Sequence, residues 1–229
     1  MIQEDNGRWN KVRDIWEIIS RLRGENGCPW DRKQSPQSVQ TYLVEEAHEA
    51  AAAVRSGNVR DAAEELGDVL FMVLFLAYLY EQRGDFSLEH VCDNISEKMI
   101  RRHPHVFGEV SVNSAEEVKD NWEKIKKEEK DRSGQEPDPV PETLPALIRA
   151  YRIVSRLAQH GDKDWDDMDA RMRAYSLQNG VLADALSSGN RVSMEVIGDI
   201  LLQLVAIARI QGFRPEDCLH EALRNLKQG

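Results

Sequence analysis

The sequence has 229 residues and a formal net charge of -10, with 41% hydrophobic and 31% charged residues. This length suits two modest domains, and the composition is typical of a folded, helix-rich protein. The negative charge argues against a nucleic-acid polymer as partner, because binding to a phosphate backbone depends on clustered Lys and Arg. The three cysteines form no CxxC pair, so neither a disulfide framework nor a common zinc site is predicted.

The apolar segments predict no export signal and no membrane span. The first residues lack the apolar core of a signal peptide, and the longest apolar run, residues 69–80, is shorter than the roughly 20 residues that a bilayer requires. We therefore expect a cytoplasmic protein in a reducing compartment, with no membrane partner.

Helical periodicity dominates the chain, and no segment shows the strict alternation of a half-buried strand. We therefore predict an all-α protein. The first helix is predicted over 8–23. The second begins at Pro36, with Ser35 as its N-cap, and ends near Gly57.

Three more helices are predicted in the first half. The third covers 59–82, and because it is apolar on every face from Val69 onward, we expect other helices to surround it. The fourth covers about 87–102 and is stopped by Pro104. The fifth begins at the capping-box sequence SAEE, residues 114–117, and its high charge predicts an exposed helix.

A proline-rich segment divides the chain. Residues 131–142, DRSGQEPDPVPE, contain three prolines and almost no apolar side chains. This composition predicts a linker between a catalytic helical domain over 1–130 and a second helical domain over 143–229.

Four short matches recur in the same order in the two halves. The pairs are IISRL and IVSRL (18–22 and 153–157), Trp-Asp (30–31 and 165–166), SGN (56–58 and 188–190), and LGDVLFMV and IGDILLQL (66–73 and 197–204). We therefore predict a duplication that gives two tandem helical-bundle units.

Acidic residues gather just ahead of two apolar stretches. EEAHE at 45–49 precedes an alanine run, and Glu65 and Asp68 lead into the most apolar helix. Residues three or four apart share a helix face, and the short loop at 56–58 makes the two helices antiparallel neighbours. Four or five carboxylates are then expected to crowd together, where they must take up protons or bind a cation. Oxygen ligands of this number suit Mg²⁺, with Mn²⁺ as a substitute.

Two other interpretations of these acids stay open. Pairs of glutamates are commonly solvated helix faces, although the flanking alanines argue against that explanation here. Glu45 and His48 have the Glu-x-x-His spacing of di-iron bundles, which require a second such pair. The partner helix offers Glu65 and Asp68 without a histidine, so we expect His48 in the interior or at the rim.

Cations follow at the end of the fourth predicted helix. Lys98, Arg101 and Arg102 occupy one turn, and Trp122 and Lys126 lie four residues apart on the next helix. Arg and Lys bind phosphate oxygens, and an indole stacks on a base or shields a site. A solvated helix end explains the first group when it is taken alone. Together with a metal site, the cations suggest a polyphosphate ligand.

Five motifs carry a family resemblance. In order they are GCPWD at 27–31, EEAHE at 45–49, ELGD at 65–68, RRHPHVFG at 101–108 and NWEKIKKEE at 121–129. Together they closely resemble the MazG family of nucleoside triphosphate pyrophosphohydrolases. The resemblance implies an all-α, Mg²⁺-dependent hydrolase, usually a homodimer, that converts a nucleoside triphosphate to the monophosphate and pyrophosphate.

The resemblance also implies roles for individual residues. The metal ligands that it implies are Glu46, Glu49, Glu65 and Asp68. The residues that it associates with triphosphate and nucleotide binding are Lys98, Arg101, Arg102, Trp122 and Lys126. Glu45 is the remaining acid, and we expect it to orient or deprotonate the attacking water, while the metal ion neutralises charge in the transition state.

The second half keeps the apolar pattern of the repeat without its acids. Through the matches above, Glu46, Glu49, Glu65 and Asp68 correspond in turn to Gln178, Val181, Val196 and Asp199. One carboxylate cannot hold Mg²⁺ against water, so we expect a degenerate, catalytically silent unit with a packing or dimerisation role. A different class also stays open: a non-catalytic regulator that binds a nucleotide or a partner, against which the four intact acids of the first half argue.

Overall fold

A computed structural model describes residues 6–133, 140–159 and 161–226. Every regular element in these ranges is helical, which confirms the all-α prediction for the described part of the chain. The chain divides into two compact units, Met1–Arg132 and Ser133–Gly229. Of the predicted linker, residues 134–139 lie outside the described residues.

Seven helices are described in the first unit. They are α1 (Asn6–Arg23), α2 (Pro29–Arg32), α3 (Pro36–Ser56), α4 (Val59–Gln82), α5 (Leu88–Arg102), α6 (Pro104–Phe107) and α7 (Ala115–Ser133). The five helices predicted for this half agree with α1, α3, α4, α5 and α7. Pro104 ends α5 as predicted, and it also opens the single turn of α6, because its fixed φ suits a first helical position.

Local sequence explains where α3 begins and where it turns into α4. The Ser35 and Ser38 hydroxyls each accept a hydrogen bond from the other residue's backbone N–H, at 3.3 and 3.0 Å, and so form a capping box. Gly57 ends α3 with a φ of 74°, a conformation that favours glycine. The Asn58 side chain then caps α4. Two residues therefore suffice to reverse the chain.

The core of the first unit lies around α4, which packs against α1, α3 and α5. A buried cluster joins one residue of α1, one of α3 and three of α4: Ile19, Val39, Leu74, Phe75 and Leu79. The prediction that other helices surround α4 is wrong for the single chain. Leu66, Leu70 and Val73 are 56%, 39% and 41% exposed.

The GCPWD segment is a tight connection that is fastened to α1. A Cβ at Gly27 would lie 2.2 Å from the Leu22 carbonyl oxygen, so the chain requires glycine there. Arg23 donates hydrogen bonds to the carbonyl of Asp31 and, at 2.6 Å, to the Gln82 side chain on α4. Arg23 thereby fixes α2 against the end of α1.

The described elements of the second unit repeat the order of the first five elements of the first unit, α1 to α5. It contains α8 (Ala146–Gln159), a 3₁₀ turn (Lys163–Asp166), α9 (Met168–Ser187), α10 (Met194–Ile210) and α11 (Pro215–Leu226). The helix α10 packs against α8, α9 and α11, as α4 packs against α1, α3 and α5. Gly189 has a φ of 69°, close to that of Gly57. This order agrees with the predicted duplication, although residues 188–193 make a longer connection than Gly57-Asn58.

No single helix in the described ranges is long and apolar enough to cross a bilayer. The bent pair of α10 and α11, which meet at 104°, satisfies the length and composition criteria only when the two helices are taken together.

Candidate active site

The turn at Gly57 sets the heights of the acidic residues on α3 and α4. Glu49 and Glu65 each lie eight residues from Gly57, and Glu46 and Asp68 each lie eleven residues from it. In an antiparallel helix pair, residues at equal distances from a tight turn lie side by side. The buried Ala50 and Ala53 of α3 allow the two helices to approach closely.

The structure brings three of these carboxylates together. Oxygens of Glu46, Glu49 and Glu65 all lie within 4.8 Å of one another. Glu46 and Glu65 are half-buried, whereas Glu49 and Asp68 are exposed. Asp68 is not one of the three, but it lies close enough for its charge to act on both Glu46 and Glu65. We call Glu46, Glu49, Glu65 and Asp68 the acidic cluster.

Neighbouring negative charges repel one another within the acidic cluster. Partial burial raises the pKa of Glu46, and the neighbouring charges of Asp68, Glu49 and Glu45 raise it further. Partial burial likewise raises the pKa of Glu65, with added contributions from Glu49, Asp68, Glu46 and Glu64. Each effect disfavours the ionised carboxylate. A bound cation would remove this cost.

Glu45 and His48 lie beside the acidic cluster on exposed positions of α3. Glu45 is near enough to raise the pKa of Glu46. In the described part of the chain, the group of side chains placed to share a metal ion consists of glutamates alone. The di-iron alternative therefore gains no histidine ligand from the fold, and His48 lies on the surface instead of the interior.

The predicted phosphate-binding cations gather where α5 meets α7. Arg101 donates from Nε to Glu129 Oε1 at 2.6 Å, and Arg102 donates from Nη2 to Glu129 Oε2 at 2.6 Å. The Arg102 guanidinium lies 5.6 Å from the centre of the Trp122 ring, and the Lys126 Nζ lies 4.7 Å from it. We call Arg101, Arg102, Trp122, Lys126 and Glu129 the cationic cluster.

Lys98 and Lys126 were predicted as phosphate-binding residues, whereas Glu129 was not predicted. Lys98 is exposed on α5, one turn before the arginines. Lys126 forms an ion pair with Glu123 at 3.1 Å. Sequence reasoning missed Glu129, although it lies seven residues after Trp122, a spacing that returns to the same helix face after two turns. That spacing was the available signal.

An apolar cleft lies one helical turn from the acidic cluster. It is lined by Trp30, Asp31, Val39, Tyr42, Phe71, Met72 and Phe75. Tyr42 precedes Glu46 by four residues on α3, and Met72 follows Asp68 by four residues on α4. The Trp30 and Tyr42 rings are 5.8 Å apart. The cleft thus joins α2, α3 and α4 beside the acidic cluster.

Comparisons with known proteins match the same part of the chain. Residues 34–107 match the family described as the MazG nucleotide pyrophosphohydrolase domain. The uncharacterized protein YabN of Bacillus subtilis is 40% identical over 220 residues, which make up 95% of this chain and 45% of YabN. The nucleoside triphosphate pyrophosphohydrolase of Escherichia coli is 36% identical over 226 residues, covering 93% of this chain and 83% of that protein.

A third relative has the same activity in its name as the Escherichia coli protein. The nucleoside triphosphate pyrophosphohydrolase/pyrophosphatase MazG of Thermotoga maritima is 36% identical over 215 residues, covering 92% of this chain and 80% of that protein. The chain belongs to the MazG family. The range matched to the MazG domain contains the whole acidic cluster together with Lys98, Arg101 and Arg102, whereas α7 lies beyond it.

Proposed function

We propose that the first unit hydrolyses a nucleoside triphosphate to the monophosphate and pyrophosphate at the acidic cluster. The observation that carries this proposal is the convergence of three glutamates within 4.8 Å inside the range matched to the MazG domain. Membership of this family makes the chain a nucleotide pyrophosphohydrolase. The Escherichia coli and Thermotoga maritima relatives, which this chain covers over 83% and 80% of their lengths, carry that activity in their names.

The acidic cluster fits a divalent cation. All its donors are carboxylate oxygens, which Mg²⁺ and Mn²⁺ prefer. Partial burial and neighbouring acids raise the pKa values of Glu46 and Glu65, and a cation would offset both effects. Glu46, Glu49, Glu65 and Asp68 are the residues that would hold the ion. Bound there, the ion would supply positive charge that offsets the negative charge of the reacting phosphates.

Glu45 is the proposed base for the attacking water. It lies next to the acidic cluster and is exposed, so solvent reaches it. The charge of Glu45 also contributes to the raised pKa of Glu46, which supports a place for Glu45 beside the acidic cluster. A carboxylate in this position can orient a water molecule and accept its proton.

The cationic cluster is the proposed binding site for the phosphates. A five-residue connection, 83–87, joins α4 to α5, and the two helices pack against each other. Asp68 lies 17 residues before Asp85, and Arg102 lies 17 residues after it. From this equal spacing we infer that the last turn of α5 faces the acidic cluster. Lys98, Arg101 and Arg102 would contact the phosphates from there, with Trp122 and Lys126 beside Arg102.

The exposed apolar face of α4 supports a homodimer. Leu66, Leu70 and Val73 follow one another at spacings of four and three residues and so share one face of the helix. Exposing such a face to water is unfavourable, and a second copy of the chain would cover it. The proposed location is the reducing cytoplasm, and the three cysteines are unpaired thiols.

Product identification tests the proposed activity. The protein is incubated with Mg²⁺ and a panel of ribo- and deoxynucleoside triphosphates, and the products are separated by ion-exchange chromatography. Monophosphate with pyrophosphate supports the proposal. Diphosphate with phosphate would indicate a different phosphatase, and nucleotide binding without turnover would indicate a non-catalytic regulator.

A further inference from the structure

Glu129 joins two arginines that the helix geometry would separate. Successive residues of an α-helix point about 100° apart, so Arg101 and Arg102 leave α5 in different directions. Glu129 nevertheless contacts both. Its Oε1 accepts a hydrogen bond from Arg101 Nε at 2.6 Å, and its Oε2 accepts two from Arg102, from Nε at 3.1 Å and from Nη2 at 2.6 Å. One carboxylate thus draws two diverging guanidinium groups to a single place.

The hydrogen bonds to Glu129 use one edge of each guanidinium. They involve Nε of both arginines and Nη2 of Arg102, so the Nη1 groups take no part in them. A guanidinium carries five N–H donors in a fixed plane. The donors that Glu129 does not use remain for an oxyanion, and their directions are fixed once Glu129 holds the other edge.

The surroundings of Glu129 make this arrangement persistent. The Glu129 and Arg102 side chains are 21% and 18% exposed, so water screens their interaction less than it screens a surface ion pair. The hydrogen bonds from Arg102 and Arg101 lower the pKa of Glu129 to about 2, so the carboxylate is ionised throughout the neutral range. The Trp122 ring also contacts the Arg102 guanidinium, at 5.6 Å from the ring centre.

We propose that Glu129 is a positioning residue for phosphate binding: it holds Arg101 and Arg102 together so that their remaining donors form one clamp for the phosphates of the substrate. This inference rests on the proposed function, because that function supplies the phosphates. Ordering long arginine side chains before the substrate arrives lowers the entropic cost of binding.

The same contacts are compatible with a competing role for Glu129, in which the carboxylate weakens phosphate binding instead of strengthening it. A carboxylate on two arginines could act as a mimic of phosphate that the substrate must displace. Displacement would break three charge-assisted hydrogen bonds and leave a half-buried carboxylate next to a polyphosphate, which is electrostatically unfavourable. Removal of Glu129 therefore weakens phosphate binding if Glu129 positions the arginines, and strengthens it if Glu129 competes.

The test uses the full chain in Mg²⁺ and measures pyrophosphate binding by isothermal titration calorimetry, together with kcat and KM for a nucleoside triphosphate. Glu129→Ala is expected to weaken pyrophosphate binding about tenfold and to raise KM, with kcat kept within about threefold. Glu129→Asp, which keeps the charge, is expected to recover most of the binding. Glu116→Gln, which removes an exposed charge from the same helix, is the matched control and should bind as the parent does.

Pyrophosphate binding by Glu129→Ala that equals or exceeds that of the parent would overturn the inference. Should Glu129→Ala fail to fold, as judged by circular dichroism, Glu129→Gln replaces it, because the amide oxygen still accepts one hydrogen bond. Glu129→Gln is then expected to bind pyrophosphate more weakly than the parent, by less than the tenfold expected for Glu129→Ala. Unweakened pyrophosphate binding by Glu129→Gln would overturn the inference. Binding and turnover are separate readouts. A parent that binds pyrophosphate without hydrolysing nucleotides contradicts the proposed function, while the comparison with the Glu129 variants still decides the role of Glu129.

Discussion

The carboxyl groups of Glu46 and Glu65 are harder to ionise than those of ordinary surface glutamates, because partial burial and neighbouring acids oppose the charged form. A raised folded-state pKa gives a stabilising contribution that is present below about 4.5, the unfolded value, and that is lost as the pH rises through the folded value. At neutral pH the metal-free acidic cluster therefore destabilises the first unit. This cost is what a bound cation relieves.

Removing one acid should separate activity from stability. Glu49→Gln or Asp68→Asn is expected to lower turnover by orders of magnitude, because each deletes the charge of a proposed metal ligand. Thermal unfolding without metal should occur at the same temperature as in the parent or higher, because like charges are removed. Glu64→Gln, which deletes a neighbouring charge outside the acidic cluster, is the control. Near-normal turnover of Glu49→Gln at low Mg²⁺ would refute its assignment as a ligand.

The contribution of Glu129 to stability should depend on pH in the opposite direction to that of Glu46 and Glu65. Its folded-state pKa of about 2 lies below the ordinary value of 4.5, so its stabilising contribution is present above pH 4.5 and is lost as the pH falls toward 2. At neutral pH, Glu129→Gln should lower the free energy of unfolding by about 1 kcal/mol, a modest value because Arg101 is half exposed and solvent screens its pairing with Glu129. Urea unfolding of parent and variant from pH 7 to pH 2 measures this difference. A difference that stays constant over that range would contradict the assigned ion pairs.

Helix-face spacing and the short loop at 56–58 were enough to predict that acids of α3 and α4 lie close together. The oxygens that lie within 4.8 Å of one another belong to Glu46, Glu49 and Glu65, and Asp68 is not among them. The contacts of Glu129 and Arg23 could not be predicted in this way. Each joins elements whose mutual placement depends on packing: Glu129 links α7 to α5, and Arg23 links α1 to α2 and α4. A sequence shows that a charge is present but not which distant group pairs with it.

Among the helices, boundaries marked by caps were predictable, and very short elements were not. Ser35, Gly57 and Asn58 fix the ends of α3 and α4 through local hydrogen bonds and backbone conformation. In contrast, α2 and α6 have four residues each, too few for a helical period to appear. The apolar surface of α4 was visible in the sequence, but periodicity does not show whether another helix of the same chain covers it.

The exposed face of α4 gives a direct test of the proposed homodimer. Leu70→Glu places a charge in the middle of the apolar face and should weaken dimerisation at least about tenfold, shifting the protein toward monomers in sedimentation velocity. Ile18→Glu is the control, because Ile18 lies on α1 instead of α4 and is 51% exposed. Equal dimer stability in both variants would place the interface elsewhere.

Across the whole molecule, the two units share an element order but differ where the first unit has its site. Among the described residues, the group of carboxylates placed to hold a metal lies in the first unit alone. Aligned through SGN, the Val39 of the cleft corresponds to Arg171, and through the glycine-aspartate pair Met72 corresponds to Gln203. Arg171 lies over the Trp165 ring at 4.5 Å and donates to Gln203 at 3.2 Å. Among the described residues of the second unit, polar Arg171 and Gln203 therefore stand where the cleft of the first unit has apolar Val39 and Met72.

The most direct test of the claim that only the first unit is catalytic compares Asp68 with Asp199, because these residues occupy corresponding positions of α4 and α10. Turnover of a nucleoside triphosphate is measured for Asp68→Ala and Asp199→Ala, with circular dichroism and sedimentation confirming that both variants keep the fold and oligomeric state of the parent. We expect Asp199→Ala to stay within about twofold of the parent and Asp68→Ala to lose activity by orders of magnitude. Equal losses in the two variants, with fold and assembly intact, would contradict a single active site on α3 and α4.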